Sequence, residues 1–381
     1  MRRTLLTLAV SLTTLLLVSC SIQITHPNQS TATTTNDPLL STPTTRVTES
    51  TLTPQDGTTA PPPISTDPST TSPFPGVTTA PVTTVPTTAA TTTQKPESTH
   101  PYKDETVTVS YPAKVMNNGN TYTGKPPMAD VTFTVVDPLN KLGISTKTFA
   151  HSFGVAKNGQ PHQITVDNQK RFDEYDYSAL AWDNKTEEKV LYLTFDCGYE
   201  YKNFTSLILD TLKEKDVPAA FFCTLPFLKE VPDTVARMVN EGHIVGNHSV
   251  NHPSDSSTLT REALAKELLG VHNHLLVNFG YESRYFRFPT GTYSPNALEL
   301  VQSVGYRSVF WSIAHTDWDT ENQPGVDVSF NTVTSRLHSG AVILLHTCSA
   351  DNVAMLADFI DYARAQGYEF RSLDQYEYWG N

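Results

Sequence analysis

A repeated alternation of short apolar runs with amphipathic segments, from Val190 to the C-terminus, restricts the fold of this chain more than any other feature. The strand candidates are Val190 to Phe195, Ala219 to Cys223, Ile244 to Val245, Tyr285 to Arg287, Ser308 to Trp311 and Ala341 to Leu345. The helix candidates are Leu207 to Leu212, Asp233 to Asn240, Arg261 to Phe279, Pro295 to Val304, Asn331 to Leu337 and Val353 to Gln366. Such alternation favours parallel strands joined by crossover helices, so we expect an α/β barrel or a doubly wound sheet. Thr260 and Ser294 are candidate N-caps for two of the helices.

The N-terminus is typical of a secreted protein. Arg2 and Arg3 precede an apolar run from Leu5 to Val18 that is short for a bilayer span and predicts a signal peptide over residues 1–19. The string from Leu17 to Cys20 resembles the lipobox of bacterial lipoproteins, which implies a diacylglycerol on the Cys20 thiol. We therefore expect lipid anchoring to the outer face of the cell membrane. The alternative is an ordinary secretory signal with an incidental cysteine.

Residues 20–100 form a stretch dominated by Thr, Ser, Pro and Ala, with almost no large apolar side chain between Thr31 and Thr99. Such a segment buries too little surface to offset the entropy of ordering, so we predict a disordered stalk. Extended at about 3.1 Å per residue, it spans roughly 200 Å.

The charge and the cysteines of the chain limit its partners and its cross-links. The net charge is −12, with 27 Lys and Arg against 39 Asp and Glu, and no basic run follows the signal, so we expect no nucleic-acid partner. Apart from Cys20 the chain has Cys197, Cys223 and Cys348, an odd number that leaves at least one thiol without an intramolecular disulfide. A disulfide of Cys197 with either of the others is conceivable in an oxidising setting.

Between Tyr102 and Phe149, short alternating runs are interrupted by Asn-Gly and Pro-Pro signals. These patterns predict a small β-rich segment over residues 101–150. The alternating β and α elements then place the main domain, with an N-terminal extension, over residues 151–381.

The candidate catalytic residues lie at or just after the ends of the predicted strands, where ligands of parallel α/β folds bind. They are Asp196, Cys197, His248, His252, Arg287, Asp317 and His346. His248 and His252 are four residues apart, which allows both imidazoles to face one cation if the backbone turns or is helical. A carboxylate or thiolate from a neighbouring strand would complete a three-ligand site with an open position for water.

Asp196 would be placed to accept a proton from a metal-bound water, whose pKa a metal lowers toward about 7. His346 has a side chain whose pKa suits protonation of a departing amine. Arg287 and Asp317 would orient these two groups, one for Asp196 and one for His346.

Five strings occur in a fixed order: TFDCG from Thr194, HSVNHP from His248, RFPTG from Arg287, TDW from Thr316 and LLHT from Leu344. Together they resemble the five motifs of the NodB-type polysaccharide deacetylases, carbohydrate esterase family four. The strings TFDCGYE, EGHIVGNHS, FWSIAHTDW and SFGVAKNGQP are most similar to the branch that deacetylates muramic acid in making the muramic δ-lactam of spore cortex peptidoglycan.

The resemblance implies a distorted (β/α) barrel of about seven strands and hydrolysis of an amide without an acyl-enzyme. It implies Asp196 as general base, His346 as general acid, and His248 and His252 as ligands of a divalent metal. The backbone N–H of Thr290 would help to stabilise the oxyanion. The expected partner is the glycan of peptidoglycan, bound by a monomer.

Three positions depart from the family pattern. Cys197 replaces the aspartate that completes the metal site, so either a thiolate preserves a Cys-His-His zinc site or the metal binds weakly through the histidines alone. Ala314 replaces an acidic residue of the fourth motif, which leaves Asp317 to steer His346. Phe288 stands where proline is common and is expected to reshape the sugar subsite.

Three functions therefore compete. The leading prediction is deacetylation of N-acetylmuramic acid in peptidoglycan, and a second is the same chemistry on N-acetylglucosamine or another wall glycan. The third is a glycan-binding protein that has lost catalysis. A muramic acid specialist needs a cation for the lactyl carboxylate, and Lys202 and Arg307 are the candidates.

Overall fold

The structure is a computed structural model that describes residues 101–380. The predicted signal peptide, the lipid site at Cys20 and the predicted stalk lie outside the described residues. Within this part of the chain, no helix combines the length and apolar character that a membrane span requires.

The described residues form twelve strands and eight α-helices. In chain order the strands are β1 (Thr106–Val109), β2 (Phe133–Val136), β3 (Phe149–Ala150), β4 (Ala179–Leu180), β5 (Val190–Cys197), β6 (Ala219–Cys223), β7 (Ile244–Asn247), β8 (Tyr285–Phe286), β9 (Thr292–Tyr293), β10 (Arg307–Val309), β11 (Ala341–His346) and β12 (Glu369–Phe370). The helices are α1 (Gln163–Glu174), α2 (Phe204–Lys215), α3 (Leu225–Glu230), α4 (Pro232–Asn240), α5 (Arg261–Phe279), α6 (Pro295–Ser303), α7 (Val326–Thr334) and α8 (Ala350–Ala365).

The main sheet has the strand order β11-β5-β6-β7-β8-β10-β4, with every pair parallel, and β12 pairs with β5 beside this path. Single bridges join Ile313 to Ile343 and Trp182 to Ala341, which brings the two edges of the sheet together. The strands therefore curl into a distorted barrel of about seven strands, and the barrel expected from the resemblance is confirmed.

The helices pack on the outer face of the sheet, and the side chains of the inner face fill the barrel. In β5 all eight residues are buried, because successive side chains point alternately into two separate apolar clusters. Leu191, Leu193 and Phe195 face the cluster formed with α2 and α8, whereas Val190 and Tyr192 belong to the inner cluster. This alternation fixes which strand-end residues face the barrel interior.

The predicted helix starts are confirmed where capping residues mark them. The Thr260 side chain accepts a hydrogen bond from the N–H of Ala263 and α5 follows it, while the Ser294 side chain accepts one from Ala297 and α6 begins at Pro295. Helix α7 begins at Val326, five residues before the predicted start, and ends at Thr334. Helix α1, of 12 residues, and the short elements α3, β4, β9 and β12 have no counterpart in the predictions.

The segment at residues 101–150 contains the antiparallel pair β1–β2 and the short strand β3, which pairs with β9. Two buried asparagines of α5 bind its backbone. Asn273 accepts a hydrogen bond from the Val131 N–H at 2.9 Å and donates to the Tyr111 carbonyl at 3.0 Å, and Asn278 accepts one from the Met116 N–H at 2.8 Å. These hydrogen bonds fix where the segment lies on α5, while Val109, Phe133 and Val135 pack into the inner cluster.

Candidate active site

A cavity of about 1180 Å³ opens at the carboxyl ends of the parallel strands. Asp196 at the end of β5, His248 and His252 after β7, Thr290 after β8 and His346 at the end of β11 all line it. Asp196 and His346 are direct partners in the register of β5 and β11. The structure thus brings together residues that lie up to 150 positions apart in the sequence.

The Asp196 carboxylate is held by a buried arginine. Arg287 has no solvent exposure, and its Nη1 donates to Asp196 Oδ1 at 2.8 Å. Its remaining donors bind Thr194 Oγ1 at 2.8 Å and the carbonyl oxygens of Val309 and Phe310 at 3.0 and 3.2 Å. Four of the five N–H donors of the guanidinium are therefore bound by the protein, and the group fixes the Asp196 carboxylate.

Burial acts to raise the pKa of Asp196, but the positive charge of Arg287, together with His248 and His346, outweighs it. The net pKa is lowered, so the carboxylate stays ionised and accepts protons at neutral pH. An ionised carboxylate beside a cavity has the protonation state that a general base requires.

The loop after β7 turns sharply enough to bring two imidazoles together. Ser249 and His252 adopt positive φ values of 71° and 48°, and the His252 N–H donates to Ser249 Oγ at 2.9 Å. The ring centroids of His248 and His252 lie 4.9 Å apart. The spacing of four residues thus acts through a turn rather than through a helix.

The protonation of His248 is set by its surroundings. Its Nδ1 lies 2.9 Å from the Arg287 carbonyl oxygen, which only accepts, so Nδ1 carries the proton and Nε2 keeps a lone pair. Burial lowers the pKa of His248 to about 4 and keeps the ring neutral. Nε2 lies 3.5 Å from Asp196 Oδ2, at the wall of the cavity.

His346 is held in the opposite protonation state. Its Nδ1 donates to Asp317 Oδ1 at 2.7 Å, and its backbone N–H donates to Asp317 Oδ2 at 2.8 Å. Burial acts to lower the pKa of His346, but Asp317 and, more weakly, Asp196 outweigh it and raise the pKa. The raised pKa favours the doubly protonated ring, whose Nε2–H remains to donate to a ligand in the cavity.

Cys197 does not face the cavity, and the expectation of a thiolate metal ligand is wrong in this structure. It follows Asp196 in a strand, so its side chain points to the opposite face, into the cluster packed by the helices. The residue has no solvent exposure, and burial followed by its contact with Cys223 raises the pKa of the thiol well above its usual value. A thiol in that state is a poor metal ligand.

The donor set fits a cation held by two imidazoles. His248 offers a lone pair on Nε2 and His252 adjoins it, whereas residues 101–380 contain no group of three His, Cys, Asp or Glu side chains arranged to hold a metal ion. Of the two readings left open for Cys197, the geometry favours binding through the histidines alone. The three cysteines of the described region are free thiols, so the conceivable disulfide is not formed.

Three other expectations need correction. Arg307 begins β10, at the strand end away from the cavity, where it lies over the Tyr285 and Trp379 rings, and Lys202 Nζ lies 4.8 Å from the Tyr201 ring centroid. Neither residue lines the cavity. Phe288 is 1% exposed and packs against Phe310 in the inner cluster, so it fills the core and does not reshape a subsite.

Some residues of the site carried no recognisable signal. Asn352, in the first turn of α8, donates to Asp317 Oδ2 at 2.6 Å and to the His346 carbonyl at 3.0 Å, which locks the pair. Arg336 lines the cavity from beyond the end of α7. Neither lies at a strand end, which is where the sequence analysis searched.

Comparison with known proteins identifies what this chain resembles. The family model described as polysaccharide deacetylase matches residues 183–309. The peptidoglycan-N-acetylmuramic acid deacetylase PdaA of Bacillus subtilis is 39% identical, with 57% of this chain and 81% of the relative covered. A peptidoglycan-N-acetylglucosamine deacetylase of Bacillus cereus is 30% identical, with 51% of this chain and 92% of the relative covered.

A solved structure shares the fold. The structure of Bacillus subtilis PdaA, described as a family 4 carbohydrate esterase, superposes with a TM-score of 0.56 at 37% identity and covers 61% of this chain and 97% of its own.

Proposed function

Because this chain belongs to the polysaccharide deacetylase family and is a deacetylating hydrolase, we propose that it removes N-acetyl groups from peptidoglycan, at N-acetylmuramic acid. The observation that carries the proposal is that Asp196 and His346, partners in the register of two strands, line one cavity in opposite protonation states. Two relatives, a peptidoglycan-N-acetylmuramic acid deacetylase and a peptidoglycan-N-acetylglucosamine deacetylase, support peptidoglycan as the substrate.

In the proposed reaction Asp196 accepts a proton from the water that adds to the amide carbonyl carbon. His346 then donates its Nε2 proton to the amine as the C–N bond breaks, so that acetate and a free amino sugar leave. The Thr290 backbone N–H, on a turn with φ of 57° at the cavity wall, stabilises the oxyanion.

Arg287 and Asp317 are positioning residues for the base and the acid. Arg287 holds the carboxylate of Asp196 ionised, and Asp317 fixes the tautomer and the orientation of His346. A divalent cation of the kind that imidazole ligands suit, such as zinc, would be held by His248 and His252 and would supply Lewis-acid polarisation.

Aromatic side chains at the cavity support a sugar as the ligand. Tyr199 and Trp318 line it while remaining 47% and 55% exposed, so their rings are accessible to a ligand. Flat apolar faces of this kind suit the C–H face of a pyranose ring. We place the reaction outside the cell membrane, with the domain tethered through Cys20.

Deacetylation of a muramic acid residue without a peptide stem leaves an amine beside the lactyl carboxylate of the same sugar. Those two groups can close a six-membered amide ring, so the proposed product is the precursor of muramic δ-lactam.

Mass spectrometry of defined glycan strands tests this substrate. We expect the zinc-loaded protein to remove acetyl groups from N-acetylmuramic acid in stem-free peptidoglycan strands, more slowly from strands with stems, and least from N-acetylglucosamine homopolymer. Preferential loss from the homopolymer would replace the proposal with N-acetylglucosamine deacetylation. Loss from no strand would favour the glycan-binding alternative.

A further inference from the structure

Arg336 is the one arginine or lysine among residues 101–380 that lines the cavity. It lies two residues beyond α7, and Val328, Thr332 and Arg336, spaced by four residues, line the cavity in turn. The cavity that holds the reacting residues is therefore also lined by one cationic side chain.

The guanidinium of Arg336 is anchored but not neutralised. Its Nη1 donates to the Ala314 carbonyl oxygen at 2.7 Å, and no carboxylate of the described chain forms an ion pair with it. Burial lowers the pKa of Arg336, and no nearby charge opposes that effect. Arg287 differs, because a carboxylate of the protein neutralises it.

The hydrogen bond from Arg336 to the Ala314 carbonyl, its anchor, sets how far this side chain lies from the reacting residues. Ile313, next to Ala314, accepts a hydrogen bond from the Leu344 N–H at 2.9 Å, and Leu344 lines the cavity two residues before His346. At a rise of about 3.3 Å per residue, the anchor lies about 7 Å along the strand from His346. Substituents of the reacting sugar or its acyl group fall within such a distance.

We propose that Arg336 is a specificity-determining residue that binds a carboxylate of the ligand in this cavity. A guanidinium with one fixed donor and several remaining N–H groups matches the two oxygens of a carboxylate. Two carboxylates are available in the proposed reaction: the lactyl group of muramic acid and the acetate product. The inference rests on the proposed function, which supplies both ligands.

The test compares Arg336→Gln and Arg336→Lys with wild type on stem-free muramic acid strands and on N-acetylglucosamine strands. If the lactyl group is bound, Arg336→Gln raises KM for muramic acid strands by about 10- to 100-fold, as expected for charge-assisted hydrogen bonds, and leaves N-acetylglucosamine strands unchanged. Arg336→Lys retains part of the preference because it keeps the charge. Arg364→Gln is the matched control, since Arg364 also donates to a backbone carbonyl but lies away from the cavity.

If Arg336 instead binds the acetate product, its variants should show a different pattern of kinetic effects. In that case Arg336→Gln weakens product inhibition by added sodium acetate on both substrates and leaves the muramic acid preference intact. Unchanged KM and unchanged acetate inhibition overturn the proposal, as does an equal loss of kcat on both substrates.

Calorimetric titration of wild type and Arg336→Gln with a stem-free muramic acid disaccharide and with acetate measures binding without turnover. Weaker binding to Arg336→Gln supports the proposal even if no strand is deacetylated, and equal binding overturns it.

Discussion

Asp196→Asn is expected to lower the rate of acetate release by about 10²- to 10⁴-fold, the usual contribution of a general base. The amide is nearly isosteric with the carboxylate but is a poor proton acceptor. It keeps one oxygen that can still accept from Arg287 Nη1, now 2.8 Å from Oδ1. Initial rates of acetate release measured enzymatically, with circular dichroism to verify the fold, test this prediction.

Asp233→Asn is the matched control, because Asp233 is an exposed carboxylate in the first turn of α4, away from the cavity. It should leave the rate of acetate release unchanged. An Asp196→Asn protein with wild-type turnover would remove the proposed base from the mechanism.

Arg287→Met is expected to lower the free energy of unfolding by about 3–5 kcal/mol at neutral pH, since it leaves a buried carboxylate without its cation. Burial then acts on Asp196 with less opposition, so its folded-state pKa rises instead of falling. Wild-type Asp196 contributes stability above its unfolded pKa, and that contribution is lost as the pH falls. In the variant the penalty disappears as Asp196 is protonated, so the difference between the two proteins should narrow toward acid pH. Urea unfolding of both proteins at several pH values measures this difference in the free energy of unfolding.

Arg261→Met separates stability from catalysis. Arg261 is 2% exposed and pairs with Glu299, but it lies outside the cavity. We expect both variants to lose stability, and only Arg287→Met to lose acetate release per folded molecule. Equal activity losses in the two variants would reduce Arg287 to a structural residue.

The strands and the site were predictable where one local signal decides the outcome. Long apolar runs such as β5 and β11, and capped helices such as α5, follow directly from patterning and capping residues. The strand ends of parallel sheets meet at one edge, so Asp196 and His346 were expected together. Helix α1 buries mostly polar side chains (Thr165, Asn168 and Gln169), so it lacks an apolar periodicity, and the short elements α3, β4 and β12 depend on tertiary contacts.

The prediction for Cys197 failed on a point of strand geometry that the sequence does contain. Two consecutive residues of a strand point to opposite faces, so an inward Asp196 requires an outward Cys197. Asn352 and Arg336 are a different case. Their roles arise where α8 and the end of α7 meet the barrel, and that packing has no signature in the local sequence.

The pH dependence of kcat/KM for acetate release tests the central claim most directly, because it reports the protonation of base and acid in the free enzyme. We predict a bell-shaped profile whose acid limb lies below the usual carboxyl range, because Arg287 lowers the pKa of Asp196. Its alkaline limb lies above pH 6.5, because Asp317 raises the pKa of His346. In Asp317→Asn that limb should move to lower pH. An alkaline limb that stays in place in Asp317→Asn, or a profile without two limbs, would contradict the pairing of Asp196 with His346.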